Sequence, residues 1–377
     1  MDWKPIFTDK EREIAERKVH EIARILSLKE SHSSYLMYGG MGSCLFLFHY
    51  SFWSGDDSYY KRATRQLLSS LGKIQRPLLL TNNPLACLSA LADGLSGIGW
   101  GIHHLLVQEM MDSETFDVMG TADPYIYRRM ICDTRRDKLD LLQGATGTAL
   151  YCLNGKERFA LEYLKRFVGE LYKQMPQNKL ERIRDFSIPT GLAGLFLLLR
   201  KIRMIHPDME YLPETMARIV SVLKDQSPGI PPNPRCSPGW NQNEVGILWC
   251  QLHIPETRNR AMEQWAQYGN LHTETNQAAF EAGLYGGNFS MGHLSNRIYQ
   301  MSGESGFRDL AIGFFKKGLE HATYVERQTQ SQVWLTGING VYGLHPGLLG
   351  GLAGIGLALL AACSDRAPCW DEVLLLS

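Results

Sequence analysis

The sequence predicts an all-α protein built as an α/α toroid, a closed double ring with seven inner and seven outer helices. One observation is a Gly-x-x-Gly pattern that recurs about every 50 residues, each time at the start of an apolar run. A second is the amphipathic segment between successive runs, and a third is the near absence of the alternating pattern typical of strands. Each repeat therefore predicts one buried helix and one half-exposed helix.

The repeat has five clear copies and two degenerate ones, in which the first or the last glycine is replaced. Seven copies at a regular spacing are typical of a closed repeat architecture rather than of two unrelated domains. In chain order the copies are Gly39–Gly42, Gly94–Gly97, Gly144–Gly147, Gly191–Gly194, the degenerate Asn243–Gly246 and Gly287–Ser290, and Gly351–Gly354.

Two segments illustrate the predicted layers. Leu352–Ala362 is apolar on every side, as an inner helix must be, whereas Glu157–Met175 carries apolar residues at three- and four-residue spacing. Equivalent positions of the repeats share one face, so the glycine corners gather at one end of the ring. Glycine avoids clashes where helix starts crowd together. The converging helix N-termini also create a positive field suited to an anion or an enolate.

Composition excludes several classes of function. Lys+Arg and Asp+Glu are balanced at 39 each, which gives no reason to expect nucleic acid or an anionic membrane as partner. The first residues lack the apolar core of a secretory signal, and the longest apolar run, around Leu348–Cys363, is too short and too rich in glycine for a membrane span. We expect one domain, 1–377, with an N-terminal helical segment at 1–35.

The eight cysteines are scattered through the chain without a CxxC pair. This distribution indicates reduced core thiols, as in a cytoplasmic protein, rather than a disulfide framework.

Four local blocks, together with the seven repeats, resemble the lanthionine synthetase C-like (LanC-like) family over nearly the whole chain. They correspond to the family's Asp-then-GxxG, Trp-Cys-x-Gly and Cys-His-Gly blocks and to its last repeat. In this sequence the blocks are Asp140–Gly147 (DLLQGATG), Trp240–Gly246 (WNQNEVG), Leu284–Gly287 (LYGG) and Leu348–Gly356 (LLGGLAGIG).

The resemblance implies a toroid with a central cavity and a role in lanthipeptide biosynthesis. Family members take a precursor peptide whose Ser and Thr have been dehydrated, and add a cysteine thiol of that peptide across the new double bond. A zinc ion held by Cys, Cys and His activates the thiol, and a protein acid protonates the enolate. The implied partners are the dehydrated peptide and a dehydratase.

The zinc ligands of the family are replaced in this sequence. The first cysteine position falls on Asn241, the second on Tyr285 and the histidine position on Gly286. An amide or phenol oxygen is a poor zinc ligand and glycine offers none, so we expect no zinc there and no other cofactor.

Four further positions of the family's site can be located in this sequence. The histidine before the fourth Gly pair is replaced by Thr190, the arginine three residues before the tryptophan by Ser237, and the aromatic residue after the first zinc cysteine by Gln242. The acidic residue is kept as Asp140. A displaced zinc site at Cys250-x-x-His253, with Cys236 before it, is a weak alternative, because Cys250 should lie on a buried helix. The histidines at 103, 104, 206 and 345 are interpreted as isolated.

Three residues are candidates for proton transfer or hydrogen bonding. Asp140 is either an acid–base group or a cap of backbone N–H groups near Leu142 and Gln143. Tyr285 either donates a proton or hydrogen bond to an enolate or fills the space of the metal. His293, in a buried helix, has either a core role or a role in proton transfer. The candidate substrate-binding residues are Thr190, Trp240, Asn241, Asn243 and Glu244.

Three functions follow from these residues. The first is a zinc-independent cyclase: an ordinary thiol is about 3% ionised at pH 7, so zinc would add only about 2 kcal/mol, whereas alignment of thiol and alkene contributes up to about 7–11 kcal/mol. The second is a non-catalytic scaffold that binds the precursor peptide or its dehydratase. The third is a sugar-cleaving enzyme that would pair Asp140 with Glu244 or Glu281.

Overall fold

The structure, a computed structural model, describes residues 3–29, 31–80, 89–111, 119, 122–155, 158–229, 237–274, 282–338 and 341–377. These residues form fifteen α-helices and a C-terminal 3-10 helix at Trp370–Leu374. In chain order the α-helices are α1 (Asp9–Leu28), α2 (Gly40–Ser54), α3 (Asp57–Leu80), α4 (Leu95–Val107), α5 (Asp123–Arg135), α6 (Ala145–Leu153), α7 (Arg158–Gln174), α8 (Gln177–Leu180), α9 (Leu192–Ile205), α10 (Leu212–Lys224), α11 (Asn243–Leu252), α12 (Arg258–Glu274), α13 (Asn288–Ser302), α14 (Ser305–Glu320) and α15 (Leu352–Cys363).

The helices form two layers of seven, with the single turn α8 left over. The inner layer is α2, α4, α6, α9, α11, α13 and α15; in α15 every residue of Leu352–Cys363 is buried. The outer helices bury one face, as in α1, where Ala15, Val19, Ile22 and Leu26 recur at helical spacing. The predicted all-α toroid is therefore confirmed, and the N-terminal segment supplies the first outer helix.

The inner helices pack side by side into a ring. α2 packs against α4, α4 against α6, α6 against α9, and α9 against α11, while α15 packs against both α13 and α2. Across the remaining junction the backbone N–H of Trp240, just before α11, donates to Ser290 Oγ of α13 at 2.9 Å. The first and last inner helices, α2 and α15, are thus neighbours, and α1 covers α15 from outside.

Where a repeat keeps its last glycine, that glycine leaves room for a backbone carbonyl. A Cβ at Gly97 would lie 2.0 Å from the carbonyl oxygen of Leu91, and a Cβ at Gly147 would lie 2.0 Å from that of Leu141. Gly194 and Gly354 meet the carbonyls of Ile188 and Leu348 in the same way. Because a backbone carbonyl cannot move away cheaply, packing alone requires glycine at these corners.

Two short antiparallel hairpins interrupt the helical pattern between α14 and α15. In the first, β1 (Tyr324–Val325) pairs with β2 (Gln332–Val333); in the second, β3 (Thr336–Ile338) pairs with β4 (Val341–Gly343). The sequence did not predict them, because strands of two or three residues are too short to show an alternating pattern.

The C-terminal 3-10 helix is fastened to the inner layer. Asp371 is fully buried and accepts hydrogen bonds from His293 Nε2 of α13 at 2.7 Å and from Arg297 at 2.5 and 2.7 Å. The indole N–H of Trp240 donates to the carbonyl oxygen of Leu374 at 3.0 Å.

Within the ranges given above, no helix combines the length and the apolar character needed to cross a membrane. The six cysteines that fall in those ranges are free.

Candidate functional site

The residue two positions before the first residue of each Gly-x-x-Gly copy, intact or degenerate, defines a belt, here named the corner ring. Its members are Met37, Ala92, Leu142, Pro189, Asn241, Tyr285 and Leu349.

Main-chain hydrogen bonds connect the corner ring from one repeat to the next. The bonds are Asn241 N–H to Tyr285 O (3.0 Å), Tyr285 N–H to Leu349 O (3.1 Å), Leu349 N–H to Met37 O (2.9 Å), Met37 N–H to Ala92 O (3.3 Å), Ala92 N–H to Leu142 O (2.9 Å) and Leu141 N–H to Pro189 O (2.8 Å). The junction between the fourth and fifth repeats is bridged by a side chain, because Asn243 Oδ1 accepts from the backbone N–H of Phe186 at 2.8 Å. All seven corners are thus held together at one end of the toroid.

This belt contains two of the three positions at which the resemblance implies zinc. Asn241 and Tyr285 are hydrogen-bonded neighbours in it, and Gly286 packs so closely on Gly239 that a Cβ at Gly239 would lie 2.6 Å from its Cα. An amide, a phenol and a glycine do not fit a zinc ion, which prefers thiolate, imidazole and carboxylate ligands.

Tyr285 is near two other aromatic residues, Trp240 and Tyr38. Its half-buried ring and the ring of Trp240 form an edge-to-face pair, with ring centroids 6.2 Å apart. Burial, with smaller contributions from the nearby Tyr285 and Asp93, raises the pKa of Tyr38 to about 12. Tyr38 is thus a neutral phenol at physiological pH, and it can donate a hydrogen bond.

Two carboxylates follow along the same side of the belt. The side-chain amide of Gln143 donates to Asp93 Oδ1 at 2.9 Å, and its backbone N–H donates to Asp140 Oδ1 at 2.5 Å. Burial raises the pKa of Asp140, although backbone hydrogen bonds from Gln143 and Gly144 oppose the shift. Tyr285 and Asp93 both act electrostatically on Tyr38, and Gln143 bonds to both Asp93 and Asp140. We name these five residues the phenol–carboxylate arc.

The sequence did not single out Tyr38 or Asp93. Both occupy the position directly before the first glycine of their repeat, as Gln143 and Thr190 do. A comparison of that one position across all seven repeats, rather than block by block, would have found them.

The predicted substrate-binding residues are spread around the belt. The exposed Thr190 donates through its hydroxyl to Asp185 Oδ2 at 2.6 Å. The side-chain oxygen of Asn243 accepts a hydrogen bond from the backbone N–H of Phe186, and Glu244 lies in the first turn of α11. Trp240 is 1% exposed, so it can act on a ligand only through Tyr285, which it supports. Their role in binding stays a prediction.

His293 lies in a different environment from the arc. It is buried, its Nε2 is bonded to Asp371, and its ring stacks on Trp370 with centroids 4.9 Å apart. Burial lowers its pKa despite the opposing effect of Asp371. These contacts favour a core role for His293. A role of His293 in proton transfer stays a prediction.

Most of the remaining candidate groups are occupied or lie elsewhere. Cys250 is buried with its thiol directed at the carbonyl of Ala193, and burial, with Arg200 and Arg258, lowers the pKa of His253 to about 3. Cys236 and Glu281 lie outside the described residues. The interpretation of His104 as isolated is wrong, since His49 Nε2 lies 3.1 Å from its Nε2.

Comparison with solved structures yields a match over almost the whole length. The match is a structure entitled "Nisin cyclase", with a TM-score of 0.70, and the alignment covers 96% of this chain and 97% of that one. The chain has the fold of nisin cyclase. Sequence identity is 15%, so the likeness concerns the fold, as the resemblance to LanC-like proteins implied. In sequence the chain matches no protein-family model. It also matches no curated protein.

Proposed function

We propose that the chain is a thioether-forming peptide cyclase that works without zinc at the corner ring. Its substrate is a precursor peptide that carries dehydroalanine or dehydrobutyrine together with cysteine, supplied by a dehydratase. The observation that carries the proposal is the phenol–carboxylate arc, which lies at the end of the nisin cyclase fold where the seven helix starts meet.

The reaction adds S–H across a carbon–carbon double bond. Asp140, whose pKa is raised by burial, takes the thiol proton as the sulfur attacks the β-carbon of the dehydroamino acid. The π-electron pair moves onto the carbonyl oxygen as an enolate, where the phenol O–H groups of Tyr285 and Tyr38 donate hydrogen bonds. The α-carbon then takes the proton back from Asp140, so that atoms and charges balance.

We expect the ring to accelerate the reaction mainly by aligning the thiol with the alkene. Holding thiol and alkene in reactive geometry is worth up to about 7–11 kcal/mol, against the roughly 2 kcal/mol that full ionisation of the thiol would add. The N-termini of the inner helices favour the developing negative charge of the enolate.

A second candidate function is a scaffold that binds the precursor peptide or its dehydratase without catalysis. It is favoured by two hydrogen bonds within the protein: Asp140 accepts from the Gln143 N–H, and Thr190 donates to Asp185. Both side chains are thus already engaged without a substrate. For the sugar-cleaving alternative, no contact between Asp140 and Glu244 supports a carboxylate pair among the described residues.

The test is to incubate the protein with a synthetic peptide that contains dehydroalanine and cysteine. The fraction of free thiol is measured over time by alkylation and mass spectrometry. The proposal expects faster thiol loss than in a protein-free control, and slower loss with Asp140→Asn. The exposed Asp137→Asn, three residues away, serves as the matched control. Peptide that binds but cyclises at the protein-free rate would identify the scaffold.

A further inference from the structure

Three side chains with metal-binding groups converge at a place remote from the corner ring. They are His49 on α2, His104 on α4 and Cys369, directly before the 3-10 helix. His49 Nε2 and His104 Nε2 are 3.1 Å apart, and Cys369 Sγ lies 3.8 Å from His104 Nε2. All three ligand atoms lie within 4.8 Å of one another, the one such group among the residues that the structure describes.

Two of the three separations between these atoms are close to those of zinc ligands. Two nitrogens bound tetrahedrally at about 2.0–2.1 Å from zinc lie about 3.3 Å apart, and a nitrogen and a sulfur bound at about 2.3 Å lie about 3.6 Å apart. The observed separations of 3.1 and 3.8 Å are close to both values. We propose that His49, His104 and Cys369 bind a zinc ion.

The surroundings suit this role. Trp100 stacks on the ring of His104, with centroids 4.9 Å apart, and fixes its orientation. Burial lowers the pKa of His49 to about 3 and that of His104 to about 4, so both imidazoles are neutral and available as ligands. Burial raises the pKa of Cys369 to about 11, so the metal has to displace the thiol proton.

A cavity borders the cluster of His49, His104 and Cys369. His49 and Cys369 line a cavity of about 470 Å³, whose wall also includes Gln108 and Asp365. Three protein ligands with an open position are typical of zinc sites that bind water or a substrate group, whereas purely structural sites are usually closed by four ligands. The fourth ligand expected here is a water molecule from the cavity.

The site is distinct from the positions at which the resemblance implies zinc. His49 and His104 each lie nine residues after the first residue of their helix, about 13 Å along the axis from the glycine corners. The ion would connect the C-terminal segment to α2 and α4. The inference is therefore independent of the proposed cyclase activity, and either can fail without the other.

The test uses the full-length chain, purified without an oligohistidine tag, stripped with a chelator and then titrated with Zn²⁺ or Co²⁺. We expect one ion per chain, a thiolate-to-cobalt charge-transfer band, and a zinc-dependent rise in Tm. Cys369→Ser should abolish the band, and both Cys369→Ser and His49→Gln should weaken zinc binding at least about tenfold. The exposed Cys132→Ser and His321→Gln are matched controls.

The cobalt spectrum is recorded on the unmutated chain, so this test does not depend on whether a variant folds. A spectrum without the thiolate band, or zinc uptake unchanged in Cys369→Ser, overturns the proposal. A stripped chain that takes up no Zn²⁺ also overturns it, and would leave a metal-free pair in which one imidazole N–H donates to the other ring.

Discussion

The backbone N–H of Asn241 donates a hydrogen bond to the carbonyl oxygen of Tyr285 at 3.0 Å. The two residues that stand at the cysteine positions of the implied zinc site are therefore neighbours in the corner ring, which main-chain hydrogen bonds connect at six of its seven junctions. The link between Asn241 and Tyr285 uses backbone atoms, so it does not depend on which side chains stand at these two positions. What the exchange leaves at this end of the ring is a phenol, and beside it a second phenol and two carboxylates.

Tyr285→Phe removes the phenol O–H but keeps the ring against Trp240. We expect cyclisation of the dehydrated peptide to slow about ten- to a hundredfold, because loss of one hydrogen-bond donor to an enolate removes stabilisation of the transition state. Peptide affinity, measured by fluorescence anisotropy, should change little. The exposed Tyr125→Phe is the control. An unchanged rate in Tyr285→Phe would assign this side chain to space filling alone.

Asn243→Ala removes a side-chain link between the fourth and fifth corners. The partly buried backbone N–H of Phe186 then loses its acceptor, and the free energy of unfolding should fall by about 0.5–1.5 kcal/mol in urea denaturation. Asn243→Asp keeps the acceptor oxygen and should remain near the original stability. Equal losses in both variants would contradict the role of Oδ1 in closing the ring.

Gly147→Ala places a methyl group 2.0 Å from the carbonyl oxygen of Leu141 and 2.7 Å from Leu91 Cβ. We expect a loss of at least about 2 kcal/mol in the free energy of unfolding. Gly72→Ala, on the outer helix α3, has nothing within 4 Å and should instead stabilise the chain by about 0.5–1 kcal/mol. If Gly147→Ala is as stable as the original chain, packing does not explain the repeat.

Asp371→Asn breaks the buried link between α13 and the C-terminal 3-10 helix. Burial alone would raise the pKa of Asp371, but Arg297 and the hydrogen bond from His293 together hold it below its usual value. The variant should lose about 3–5 kcal/mol at neutral pH, because Arg297 keeps a charge without its partner.

The sign of the pH dependence follows from the lowered pKa of Asp371. The carboxylate contributes stability above its unfolded pKa of about 3.9, and this contribution is lost as pH falls through the lower folded value. The difference in urea midpoint between the original chain and Asp371→Asn should therefore shrink below about pH 4. The exposed Asp309→Asn is the control, and a difference independent of pH would argue against an ionised Asp371.

The repeat allowed all seven inner helices to be predicted from sequence. Even the degenerate copies stand at helix starts, α11 at Asn243 and α13 at Asn288. The polar residues directly before the first glycine of the first four repeats were also predictable, since they share one position in the repeat. They are Tyr38, Asp93, Gln143 and Thr190.

Contacts between distant parts of the chain were not predictable in the same way. His49 and His104 are 55 positions apart, and His104 and Cys369 are 265 apart, so no local pattern connects them. The hydrogen bond between His293 and Asp371 joins residues 78 positions apart. The sequence of α13 alone therefore could not show that His293 contacts the C-terminal segment. Closure of the ring sets these contacts.

Peptide cyclisation by protein stripped of all metal decides whether the chain works without zinc. Zinc content is measured on the same sample, for both the original chain and Cys369→Ser. We expect acceleration over the protein-free rate to persist in both without zinc and to be lost in the double variant Tyr285→Phe, Asp140→Asn. A rate that falls to the protein-free value on removal of zinc, and returns when zinc is added, would contradict this expectation.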